Sequence, residues 1–164
     1  MQTRSNWLRA GLALCVLACT APLTAATPGV AYPQGYREWT HVKSMQILPG
    51  HPLYDAFGGV HHLYANRQAM AGYRSGHFPD GAVIAFDLLT AQDADHAVTE
   101  GPRKVLGVMR KDAKRYAATG GWGFEAWKGG DPKQPVVGAN AASACFGCHT
   151  AQKAHDYVFS NFER

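Results

Sequence analysis

The segment Ser143-Ala144-Cys145-Phe146-Gly147-Cys148-His149-Thr150 sets two cysteines two residues apart and places a histidine directly after the second. Such residues serve as a redox dithiol, as part of a zinc site, as a structural disulfide, or as a covalent haem anchor. Zinc is poorly served. Cys145, Cys148 and His149 supply at most three ligands, adjacent Cys148 and His149 share a tetrahedron with difficulty, and no second Cys pair follows. A thioredoxin-like dithiol belongs after a strand early in a βαβ unit, whereas this motif stands near the end of the chain. In a haem anchor each element has a use: the two thiols add to haem vinyl groups as thioethers, and the adjacent histidine reaches the iron from one side.

The N-terminus points the same way. Arg4 and Arg9 form a basic start, Gly11 to Ala18 is a short apolar run, and small residues lead to a cleavage site at Thr24-Ala25-Ala26. That run is too short to span a bilayer. Residues 1–26 therefore read as an export signal and 27–164 as one haem-binding domain, placed in the periplasm. The alternative is a lipid anchor, because Val16-Leu17-Ala18-Cys19 resembles a lipobox. An oxidising compartment would turn a free Cys145–Cys148 pair into a bare disulfide unless haem claimed it, and the disulfide stays as the bland alternative. Loss of the two leader arginines lowers the formal charge from +4 to +2. That is too little to argue for nucleic acid, and no basic cluster is interleaved with aromatics.

Haem proteins differ in where the motif sits. Many electron-transfer cytochromes c carry it near the mature N-terminus with a methionine ligand downstream. Here no methionine follows His149, and the upstream candidates Met45, Met70 and Met109 are each more often core filler. Four-helix cytochromes do place it late, but AVIAFDLL and GVHHLYA make poor helices.

The elements that must position the motif read as α+β: antiparallel strands with a few flanking short helices. Tyr36 to Ile47 suggests a short helix running into a strand, and residues 49–52 a turn. Gly59 to Ala65 alternates as a strand, and Asn66 to Tyr73 is helical with Asn66 as N-cap. The clearest strand is Ala82 to Leu89. It puts Ile84, Phe86 and Leu88 on one face and Val83, Ala85, Asp87 and Leu89 on the other. Val105 to Arg110 and Gly121 to Trp127 are further strands, 128–138 a loop, and 141–149 a helix carrying the motif.

Several stretches together resemble the cytochrome P-460 and cytochrome c′-beta family of exported, mostly β, mono-haem cytochromes. They are YREW from Tyr36, HHLYAN from His61, FPDGAVI from Phe78, KDAKRYAATGGWGF from Lys111, CFGCH from Cys145 and HDYVFS from His155. The resemblance implies an antiparallel sheet flanked by helices, usually a homodimer. It also implies one haem c bound through Cys145 and Cys148, with iron held by His149 and its other face open. Cytochromes P-460 link a lysine to the porphyrin and oxidise hydroxylamine with help from a distal carboxylate. At the aligned position this chain has Phe86. The c′-beta branch lacks the link and caps the open face with two phenylalanines, to which Phe57 and Phe86 correspond.

The resemblance thus favours the c′-beta branch: a five-coordinate haem protein that binds small gases, NO foremost and also CO, with a redox protein as a further partner. A hydroxylamine- or NO-oxidising enzyme and a six-coordinate electron carrier stay as alternatives. An apolar cap offers a bound diatomic no hydrogen bond, and nothing in it deprotonates hydroxylamine. Asp87 and Glu125 read as solvated charges on strand faces. Adjacent His61 and His62 must face opposite ways on a strand. They read as surface histidines, the alternative being one as a distal ligand or dimer contact. Lys104 and Lys111 are the other lysines considered for a haem link, and Lys111 reads as part of the scaffold.

Overall fold

The computed structural model describes residues 29–163. Five strands form one antiparallel sheet in sequence order, β1 (Thr40–Ile47), β2 (Gly59–Ala65), β3 (Val83–Ala94), β4 (Ala97–Lys111) and β5 (Trp122–Lys128). Two short helices interrupt the meander: α1 (Tyr54–Phe57) before β2 and α2 (Arg67–Ser75) before β3. The α+β expectation holds, and the strand at Gly59–Ala65 has the bounds the alternation gives. The central hairpin is longer than expected, because β3 and β4 run on through residues 90–104, where the polar sequence carries little alternation. Its two-residue loop is made by Asp95 (φ 52°) and His96 (φ 61°). Positive φ at both central positions gives the twist that two-residue hairpins require.

Asn66 caps α2 by accepting from the Ala69 N–H at 2.8 Å. The same oxygen accepts from the Val83 N–H at 3.0 Å, while its amide donates to the Gly81 carbonyl at 2.9 Å. One side chain therefore fixes both the start of α2 and the start of β3.

Alternation divides the sheet into two packed faces. Ala65, Ile84, Met109 and Phe124 belong to one cluster with Trp122, Met70, Phe78 and Val158. Ala85, Leu106, Val108 and Trp127 belong to the other, closed by Val30 and Tyr36 from the N-terminal lead-in. On this second face lies Asp87, fully buried. It accepts from Tyr36 Oη at 2.6 Å, from Arg37 Nη2 at 3.1 Å and from Arg103 Nε at 2.5 Å. The expectation of a solvated charge is wrong here, because three donors distant in sequence converge on this carboxylate. Burial alone would push its pKa up. Hydrogen bonds from Arg103, Tyr36 and Arg37 outweigh that and hold it below the ordinary carboxylate value. The Tyr36 hydroxyl is pushed up to about 12, by burial first and then by Asp87.

The sign of this linkage is definite. A carboxylate with a depressed folded-state pKa gives stability that is present above its unfolded value, about 4, and is lost as pH falls through the folded value. Asp87→Asn is expected to cost about 3 kcal/mol at neutral pH, since it strands buried donors and cations. It should also flatten the acid limb of the stability profile. Urea denaturation of the holoprotein at pH 7 and pH 3 checks both, and parallel acid limbs for wild type and variant would contradict it.

Candidate functional site

The chain reaches the cysteine motif through a segment held by Glu125. This carboxylate is buried and accepts from the N–H groups of Val137 at 2.9 Å, Gly138 at 3.1 Å and Ala126 at 2.9 Å. It too is a structural acceptor rather than a solvated charge. The helix expected over 141–149 is present but unevenly wound: Ala142–Phe146 is a π-helical turn, followed by α3 (Gly147–His149) and a 3-10 stretch, Thr150–His155. Such π turns recur at functional sites, where they re-aim side chains.

Cys145 is half-buried, Cys148 is exposed, and both are free thiols. Burial, then the charges of Glu125 and Cys148, push the Cys145 thiol up. A redox dithiol needs the opposite shift. Among the described residues no group of three or more His, Cys, Asp and Glu side chains is arranged to hold a metal ion.

His149 is the most constrained group of the segment. Its Nδ1 lies 2.7 Å from the Tyr157 carbonyl oxygen. A carbonyl only accepts, so Nδ1 carries the proton and Nε2 keeps the lone pair that binds a metal. The ring is clamped between Phe124, centroids 4.9 Å apart, and Phe159 at 5.1 Å. Burial lowers its pKa, against the opposing effect of the bond to Tyr157.

The turn that supplies this carbonyl is strained and firmly tied. Asp156 (φ 52°) and Tyr157 (φ 65°) are consecutive left-handed residues without glycine. The Asp156 carboxylate accepts from Lys111 Nζ at 2.5 Å and from the Phe78 N–H at 2.9 Å. Its carbonyl accepts from Trp122 Nε1 at 2.8 Å. Gly120 lets the Tyr157 ring approach, since a Cβ there would lie 2.4 Å from that ring. Lys111 also donates to the Gly120 carbonyl at 3.2 Å, in keeping with its expected scaffold role. The turn's part in orienting His149 is not visible in the sequence, although the residues that tie it belong to motifs already singled out.

His149 faces a particular strip of the sheet. Residues paired across antiparallel strands share a face. Leu63 pairs with Phe86, Phe86 with Gly107, and Gly107 with Ala126. All four are half-buried, whereas the next row toward α3, Ala65, Ile84, Met109 and Phe124, is buried. Phe86 and Phe124 stand at opposite ends of this region, about 12 Å apart by strand spacing and residue rise. On the Phe86 row the strands carry only the small residues Gly107 and Ala126 toward β5, while Ile84 and Met109 continue the Phe124 row.

At the far end Phe86 and Phe57 meet edge to face, with ring centroids 5.8 Å apart. Phe57 closes α1 and is 39% exposed. His61 packs on Phe86 with centroids 4.7 Å apart and is only 4% exposed, which corrects its reading as a surface histidine. His62 faces the other way, to Ser44 Oγ at 2.6 Å and Glu100 at 3.2 Å. Met70 and Met109 lie in the core, while Met45, 49% exposed, pairs with His61 at the sheet edge. Lys104 Nζ is committed to the Gly58 carbonyl at 2.8 Å.

A family model described as Cytochrome P460 matches residues 33–160. The chain belongs to the cytochrome P460 family. No curated protein matches it closely enough to report. As a member of that family it is a haem-binding cytochrome, and its residues fit the group. A flat, half-buried apolar strip lies between an imidazole with Nε2 unprotonated and a pair of phenyl rings, beside two free thiols.

Lys111→Met tests how firmly the His149 carbonyl partner is held. It leaves the Asp156 carboxylate without its cation and is expected to cost about 3 kcal/mol of stability. Thermal unfolding followed in the Soret band measures it, and a midpoint within a degree of wild type would show that the pair carries no load.

Proposed function

We propose that this cytochrome is an exported mono-haem protein that binds diatomic gases, NO foremost. In this reading Cys145 and Cys148 hold haem c as thioethers and His149 Nε2 is the proximal ligand. The bound haem would supply an iron with one face ligated by imidazole and the other open to a small ligand. Phe57 and Phe86 exclude water and limit ligand size on that open side, which is the arrangement of the c′-beta branch.

The observation that carries this reading is the separation of chemistry between the two faces of the sheet. The two acids considered as catalytic, Asp87 and Glu125, are both buried and saturated by scaffold donors. A hydroxylamine oxidase needs a placed base beside its substrate. It also needs its linked lysine, and Phe86 occupies the position where the resemblance expects one. Export, a homodimer and a redox partner belong to the same proposal. The leader and Cys19 lie outside the described residues. Exposed Met45, Leu48 and Leu53 along and after the edge strand β1 offer apolar surface to a second copy.

One optical spectrum of the purified protein tests the reading. Broad high-spin bands that shift with NO or CO are expected. A strongly red-shifted ferrous Soret band would mean a cross-linked haem, and sharp α and β bands would mean a six-coordinate carrier; either overturns the proposal. Phe86→Ala should speed NO association about tenfold, equivalent to lowering the access barrier by about 1.4 kcal/mol. Unchanged stopped-flow kinetics would remove Phe86 from the ligand path.

A further inference from the structure

Among the described residues, His61 is the titratable side chain beside the paired phenylalanines that the scaffold leaves unsatisfied. Its Nδ1 is buried and has no hydrogen-bond partner. A buried, unpaired polar atom costs about 1–3 kcal/mol, so its presence calls for an explanation. Two comparisons within the molecule sharpen the point. His62, the next residue, is satisfied on the opposite face by Ser44 and Glu100. Tyr116 Oη is likewise buried and unpartnered, but it belongs to the cluster on the face away from His149. His61 alone of these lies on the face that His149 addresses, stacked against Phe86 at 4.7 Å and 36°.

Its protonation state follows from its surroundings. Burial, then the neighbouring His62, lower its pKa to about 4, so at neutral pH the ring is uncharged and carries a single N–H. Phe86 is flanked by His61 on one side and Phe57 on another, so the ring that limits access also covers the imidazole.

We propose that His61 is the specificity-determining donor of the ligand pocket: its N–H hydrogen-bonds the outer atom of the bound diatomic. This rests on the gas-binding reading above and changes one feature of it, because the pocket then holds one polar group among apolar ones. A neutral donor favours ligands that gather negative charge on their outer atom and does little for CO, whose bound form is less polar. The imidazole stays screened by Phe86 until a ligand takes its place at the open side.

The test uses the ferrous holoprotein loaded with NO. Pulsed proton ENDOR is expected to show a strongly coupled exchangeable proton that disappears in D2O. It should be lost in His61→Leu and kept in His61→Gln, which retains an N–H donor. In the CO-loaded protein the C–O stretch should rise in His61→Leu and stay near wild type in His61→Gln. Wild type without the exchangeable proton overturns the inference whether or not the variants fold, and so does a signal that survives in His61→Leu. A protein that takes up neither NO nor CO overturns the gas-binding reading and this inference with it. Ligand uptake without the exchangeable proton overturns this inference alone.

Discussion

A single hydrogen bond, from His149 Nδ1 to the Tyr157 carbonyl, organises the chemistry of this chain. It fixes the tautomer that leaves the His149 Nε2 lone pair free, and bonds of this kind set ring orientation and basicity wherever such a nitrogen binds a metal. The acceptor is eight residues downstream, so the chain must double back, which it does through two left-handed residues. Such a reversal persists only where its surroundings over-determine it. Lys111 and Trp122, paired across β4 and β5, and the Phe78 N–H from the segment before β3 do so. The His149 ring is therefore oriented by the turn at 156–157 rather than by its own helix.

Two acids of the sheet alternate away from the face that carries Phe86 and Phe124. Strand alternation sends Asp87 to one side and Phe86 to the other, and the burial of Asp87 is tolerable only because Tyr36, Arg37 and Arg103 converge on it. Glu125 is treated in the same way by the backbone of residues 126, 137 and 138, and in return it fixes the approach to the cysteine motif. These acids look functional in type yet serve as structural acceptors. What they leave on the other face is an apolar strip near His149, where the few remaining polar atoms gain weight.

The parts governed by local physics are legible in local residue patterns. Alternation over GVHHLYA and AVIAFDLL gives β2 and the core of β3, and Asn66 announces the cap of α2. CxxCH marks the candidate anchor, because spacing alone constrains thioether attachment. The rest depends on partners far apart in the chain. The outer arms of the β3–β4 hairpin are polar on both faces, so no periodicity marks them. Nothing near Asp87 or Glu125 tells that donors from residues 36, 103 and 137 will surround them. His61 and His62 are indistinguishable as a dipeptide, and only register separates a buried ring from one satisfied by Ser44.

That register also explains why Phe86 matters beyond its bulk. Position 86 sits opposite Leu63 and Gly107, two residues from the row that packs under the cysteine-motif segment. A lysine there would lie along the same strip with a reactive amine, whereas a phenyl ring supplies bulk without a nucleophile. The same ring stacks on His61 and meets Phe57, so a single position governs both access to the strip and exposure of its one uncommitted imidazole. In the gas-binding reading proposed above, this one strand position decides whether a cofactor on the strip meets a nucleophile or an apolar cap.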